Sequence, residues 1–227
     1  MQVAALHDLS LSPPEARKLQ YKLASGVEQG PPLDVGEVRY VAGADVSTQG
    51  DEGYAAVTVV SLPDLSVVEA QGTEAELDFP YVSGLLAFRE IPPVAQALAK
   101  VRTAVDAVIF DSQGLAHPRR MGLASHLGLF LDVPSVGCAK SRLCGTYEEP
   151  ASEKGSRQSL VHRGAEVGSV LRTRTNVSPV YVSVGHRIDL PSAVELTLAC
   201  TGRYRLPEPT RQAHLAANRL RRGESLW

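Results

Sequence analysis

A short apolar, β-favouring run, Val108-Ile109-Phe110, ends in the carboxylate of Asp111, and a loop bearing Gly114 follows at once. After it come His117-Pro118-Arg119-Arg120 and an amphipathic run over residues 121–130. This reads as strand, loop and helix, with Asp111 projecting from the carboxyl end of a buried strand. Open α/β sheets bind ligands in the crevice outside those strand ends. A carboxylate there can hold a hard cation, and arginines one loop away can hold phosphate. The plainer alternative is an Asp that caps its loop while both arginines sit in solvent.

The rest of the chain has to supply elements around that unit. Residues 11–27 form a helix opened by Ser12 and Pro13-Pro14-Glu15, with an apolar stripe of Ala16, Leu19 and Leu23. Residues 38–46 read as a strand ending near Asp45. Residues 54–62 and 65–70 are two more strands joined by a Pro63-Asp64 turn, so an antiparallel meander is expected. Residues 79–84 form a loop with turn chemistry, and a helix follows that Pro92-Pro93 interrupts before it resumes over 94–105. Beyond the opening unit, 133–139 is a strand ending at Lys140. Residues 146–157 are polar and read as a mobile excursion. Residues 158–170 resemble a hairpin around Gly164, 180–184 a strand, 191–200 a helix and 210–222 a basic helix. No repeat, linker, GxGxxG or GxxxxGK[ST] pattern occurs. The expectation is one domain over residues 1–227, α/β, with a mixed central sheet flanked by helices.

Charge divides unevenly along the chain. Residues 1–113 hold 7 Lys+Arg against 16 Asp+Glu, a charge of −9, whereas residues 114–227 hold 16 against 9, or +7. Such asymmetry suits carboxylates that gather a metal and arginines that face a polyanion. No apolar run approaches the roughly 20 residues of a membrane span, and the first ten residues lack a signal-peptide pattern, so a cytoplasmic protein without membrane contact is expected. Three cysteines without a CxxC pair argue against a disulfide framework; Cys138 reads as a small buried hydrophobe.

Three acids stand out by position: Asp45 at a strand end, Glu90 early in a helix, and Asp111. Phosphodiester hydrolysis needs an activated water and relief of charge on phosphoryl oxygens, and magnesium on carboxylates supplies both. Spacing alone leaves open that each acid is an ordinary loop or surface residue.

Several blocks together narrow the choice. Gly43-Ala44-Asp45-Val46-Ser47, Pro80-Tyr81 with Gly84-Leu85-Leu86-Ala87-Phe88-Arg89-Glu90, the Asp111 to Arg120 block, Lys140-Ser141, Gly185-His186-Arg187-Ile188 and Pro209-Thr210-Arg211 with His214 resemble the endonuclease V family, in order and over nearly the whole chain. The resemblance implies a ribonuclease H-like fold. It also implies a magnesium-dependent repair nuclease, with manganese as a substitute, acting as a monomer on DNA containing deoxyinosine. Such enzymes cut the second phosphodiester 3′ to the lesion and leave the lesion in the strand. Residue by residue, Asp45, Glu90 and Asp111 match metal-binding acids, Lys140 and His214 match basic residues near the scissile phosphate, and Tyr81 matches the aromatic wedge.

The residue chemistry is compatible with this. Tyr81 on a Pro-stiffened loop suits stacking into the gap left by an extruded base. Gly84, Gly114 and Gly122 would let backbone amides approach the base, or else simply make tight turns. His117 before Pro118 suits bracing of its loop. Arg119, Arg120 and Arg211 are phosphate-contact candidates, with a solvated face as the alternative. Two residues depart from the family pattern: Ser83 stands where proline is usual, and Ser112 where glycine is usual. Two other readings stay open, cleavage of inosine-containing RNA and a non-catalytic nucleic-acid-binding module.

Overall fold

The computed structural model describes residues 1–4, 7–8 and 10–226, so part of the N-terminal stretch read for a leader lies outside the described residues. Strands β1 (Tyr40–Gln49), β2 (Glu52–Ser61) and β3 (Val67–Glu76) form the expected antiparallel meander. β3 runs six residues beyond its expected end because Glu52 to Val57 of β2 extends its ladder to Glu76. The connection before it spans residues 62–66, with Leu65 at φ 57.

Strands β4 (Ala107–Phe110) and β5 (Ser135–Ala139) add in parallel beside β1. β6 (Arg157–His162), β7 (Ala165–Leu171) and β8 (Val180–His186) complete an eight-stranded mixed sheet in the order β3-β2-β1-β4-β5-β8-β7-β6. The hairpin between β6 and β7 turns on Arg163 and Gly164, both at positive φ, the conformation that matches strand twist in a two-residue turn. Central β4, β5 and β8 are buried throughout, whereas outer β6 is mostly exposed.

Helices cover both faces. Alternation along β1 and β2 sends Ala42, Ala44, Ala55, Val57 and Val59 to one face, under α2 (Leu86–Ala99) and α3 (Leu123–Gly128). Val41 and Ile109 join the opposite face with α4 (Leu190–Ala199), and Ala56 meets Ala216 and Ala217 of α5 (Glu208–Arg221) there. The remaining helix, α1 (Pro13–Ala24), starts as expected, with Glu15 accepting the Ser12 amide at 2.9 Å. Of the predicted stripe, Ala16 is buried, Leu19 packs half-buried against Phe79 and Phe88, and Leu23 is half-buried; Gln20 is buried as well, because its amide finds polar partners.

Three local expectations are corrected. Pro92 and Pro93 do not interrupt α2: Phe88 and Ile91 before them and Val94, Ala97 and Leu98 after them bury on one face, and that packing outweighs the missing amides. α3 is buried all round instead of amphipathic. Residues 146–157 are pinned rather than mobile. The Arg172 guanidinium donates to Glu149 and to the carbonyls of Ala151 and Val177, while Thr146 bridges to Val161. No helix among the described residues is long and apolar enough to cross a membrane.

Candidate active site

Parallel pairing of β1 with β4 determines where the acids meet. Ala44 lies opposite Phe110, so Asp45 and Asp111 are the next residues along two adjacent strands that run the same way. β5 pairs Gly137 with Phe110 on the other side and ends at Ala139, which delivers Lys140 to the same edge. The Lys140 ammonium forms an ion pair with Asp111, whose side chain is only 7% exposed.

α5 reaches Asp45 from the other side. The helix begins against β1 at Gly43, where an added Cβ would lie 2.1 Å from the Pro209 carbonyl carbon. That close crossing brings His214, one turn further along α5, to Asp45, with Nδ1 donating to Oδ2 at 2.7 Å. His214 is oriented in turn by Asn218, whose Nδ2 lies 3.1 Å from Nε2 and whose Oδ1 accepts from Ser47 Oγ at 3.0 Å.

Glu90, on α2, shares the field of both aspartates. Burial first, then the charges of Asp45 and Asp111, push its carboxyl up to about 8. Burial and Asp111 also raise Asp45, opposed by His214. Burial and neighbouring carboxylates thus raise both Glu90 and Asp45 beside Asp111, and the negative charge gathered there asks for a cation. Hard oxygen donors of this kind fit magnesium, which needs one or two carboxylates and keeps several waters. Among the described residues no three His, Cys, Asp or Glu side chains are already closed into a metal-holding group; the Lys140 ammonium supplies countercharge at Asp111, and His214 a hydrogen bond at Asp45.

Beside the acids lies a cavity of about 400 Å³ whose wall includes Asp45, Asp111, Lys140, Gly84, Gly122 and Tyr81. Tyr81 stands 79% exposed at its rim. Its loop is anchored from behind by Arg89, which donates to the carbonyls of Leu77 and Phe79.

Several candidates take other roles. Gly114 is not free to approach a ligand: its amide donates to Ser183 Oγ, its carbonyl accepts from Gly122, and a Cβ there would strike Val184 O at 2.0 Å. Gly122 has spent its amide on that same bond and packs on the Gln113 carbonyl. Gly84 sits at φ +75 with its carbonyl taken by three donors. Arg119 is one of those donors and braces the loop rather than standing open to phosphate. Arg211 is bound to both oxygens of Glu208 and stacks on Tyr204 at 4.2 Å. Arg120, half-buried at φ 57, bears on the Cys144 thiol. His117 does brace the loop, accepting the Arg119 amide at Nδ1 and therefore donating from Nε2 to Gly84 at 2.9 Å.

Sequence reasoning gave no separate role to Gln20, Ser47 and Asn218. The i, i+4 spacing of His214 and Asn218 on one helix face was the available signal for the last of these.

The model of the family described as Endonuclease V matches residues 21–215. An endonuclease V from Nostoc sp. is 50% identical over 222 residues, covering 96% of this chain and 100% of that protein. The crystal structure of endonuclease V from Streptomyces avermitilis superposes with a TM-score of 0.88 at 41% identity, over 98% of this chain and 99% of that one. Endonuclease V from Ciona intestinalis, solved in complex with a 23mer DNA containing an inosine followed by a ribo-adenosine, matches at TM-score 0.82 and 26% identity, over 92% of this chain and 97% of that one. The mixed sheet with helices on both faces is the ribonuclease H-like α/β architecture of these structures. With three-quarters of its length or more matched in both sequence and structure, the chain belongs to the endonuclease V family.

Proposed function

We propose that this protein is a magnesium-dependent DNA repair endonuclease, with manganese as a substitute. Its substrate is DNA containing deoxyinosine; it cuts the second phosphodiester 3′ to the lesion and leaves the lesion in the strand. Residues 1–227 act as one domain and as a monomer in the cytoplasm. The observation that carries this reading is the placement of Asp45 and Asp111 in the wall of a cavity rimmed by exposed Tyr81, with Glu90 of α2 in the field of both aspartates. The Ciona relative, bound to inosine-containing DNA, supports the choice of lesion.

Asp45, Glu90 and Asp111 would hold the cation. When bound, it would supply an activated water and relief of charge on the phosphoryl oxygens. Lys140, already against Asp111, is placed to meet charge that develops on the phosphate. His214 holds Asp45 in orientation through Nδ1, and its own ring is held by Asn218. Tyr81 would fill the space left by the extruded base, offsetting part of an unstacking cost of a few kcal/mol. Gly84 and Gly122 would shape the wall of the base pocket, with Gly114 packed behind it on Val184, and Arg120 remains the phosphate candidate of its block. A module that only binds nucleic acid gains nothing from three acids beside phosphate, which disfavours that reading.

One specific observation favours a second substrate. The DNA in the Ciona complex carries a ribonucleotide directly after the inosine, and inosine-containing RNA presents the same 2′-hydroxyl. The deciding experiment is side-by-side cleavage of end-labelled strands carrying one inosine in DNA or in RNA, with magnesium and with chelator. Magnesium-dependent cutting one nucleotide beyond the lesion is expected. Equal cutting of an undamaged control would overturn the proposal.

A further inference from the structure

Gln20 is 0% exposed on a helix whose other residues, apart from Ala16, are exposed or half-buried. Its side-chain amide is fully used. Nε2 donates to the carbonyls of Gly84 and Met121, both at 3.0 Å, and Oε1 accepts from Arg119 Nε. The same Gly84 carbonyl also accepts from His117 Nε2 at 2.9 Å and from an Arg119 terminal nitrogen at 2.7 Å. One oxygen with two lone pairs thus serves three donors.

Gly84 closes the loop that carries Tyr81, through a turn in which Leu85 donates to Val82 at 2.8 Å. Its φ of +75 favours glycine, and a side chain there would push on the Arg119 guanidinium, 2.8 Å from a built Cβ. Met121 and Arg119 belong to the loop that follows β4 and Asp111. One buried amide therefore ties the aromatic loop to the loop beside the acids. Packing alone would accept a leucine here; a buried amide with every donor and acceptor matched specifies geometry as well. Gln20 also lies outside residues 21–215, the stretch matched by the family model.

We propose that Gln20 is a positioning residue for lesion recognition: from α1 it holds Gly84, and through it the Tyr81 loop, in register with the loop after Asp111. This rests on the reading of Tyr81 as the residue that engages the lesion site.

The test is a double-mutant cycle on kcat and KM for a deoxyinosine duplex, using Gln20→Leu, Tyr81→Ala and the pair. Gln20→Leu keeps volume and removes all three bonds. It is expected to lower kcat/KM about tenfold, chiefly through KM, and to add nothing in the Tyr81→Ala background. Equal losses in both backgrounds, or no loss where Tyr81→Ala shows one, would overturn the role of Gln20. No loss in Tyr81→Ala itself would overturn the wedge reading instead. Should Gln20→Leu fail to fold, Gln20→Glu takes its place: it keeps the Arg119 contact, loses both donors, and is expected to show the same KM effect. A Gln20→Glu enzyme with unchanged KM would contradict the inference.

Discussion

His214 and Asp45, 169 residues apart in sequence, are joined by a 2.7 Å hydrogen bond from Nδ1 to Oδ2. The bond exists because α5 starts in van der Waals contact with Gly43, two residues before Asp45 on the same face of β1. Removing the imidazole leaves Asp45 with burial and the Asp111 charge, opposed only by the more weakly acting Lys140. His214→Ala is expected to lower kcat about a hundredfold. Asn218→Ala, which frees the ring and the Ser47 hydroxyl, should cost about tenfold. Single-turnover rates on a deoxyinosine duplex check both.

The crossing at Gly43 carries its own prediction. A methyl there would sit 2.1 Å from one backbone atom and 2.4 Å from another, both of Pro209, and neither can swing aside as a side chain would. Gly43→Ala should destabilise the fold by about 3 kcal/mol or more, read as a lower urea midpoint. It should also lose activity, because α5 carries His214.

Glu90 gives a pH prediction. Its carboxyl is raised from 4.5 to about 8 in the folded chain, by burial and then by Asp45 and Asp111. An acid so raised binds its proton more tightly folded than unfolded. Stability without divalent cation should therefore fall as pH climbs from about 4.5 to about 8, and level off above. Glu90→Gln should lack that decline, and added magnesium should stabilise the wild type at pH 8 more than the variant. Thermal midpoints in chelator and in magnesium across this range provide the comparison.

His117 acts at the acid end. Burial first, then Arg119, lower it from 6.5 to about 4. A histidine depressed on folding is neutral in the native chain while the unfolded chain takes up protons, so stability is lost as pH falls from 6.5 toward 4. His117→Gln should show a shallower acid limb in pH-dependent unfolding.

Much of this is legible in the sequence. Alternating apolar runs and a strand-end carboxylate placed the sheet, and the ordered motif blocks pointed to the family and to Asp45, Glu90, Asp111, Lys140 and His214. Their meeting was not legible, because it depends on β1 pairing in parallel with β4 rather than on spacing in the chain. The partners of Gly114, Arg119 and Arg211 are not legible in the sequence, for one reason. A glycine or arginine looks the same in sequence whether its polar groups face a ligand or are spent on Ser183, Gly84 or Glu208. The prolines of α2 misled because local propensity was outweighed by burial on both sides of them.

Cutting by Asp111→Ala on a deoxyinosine duplex, measured beside binding of the same duplex with magnesium present, separates a cation-holding carboxylate from one that only contributes to the fold. Cleavage should be abolished while binding persists, if Asp111 serves as a cation ligand and Tyr81 engages the lesion as proposed. Full cleavage by this variant would contradict the role given to the three carboxylates.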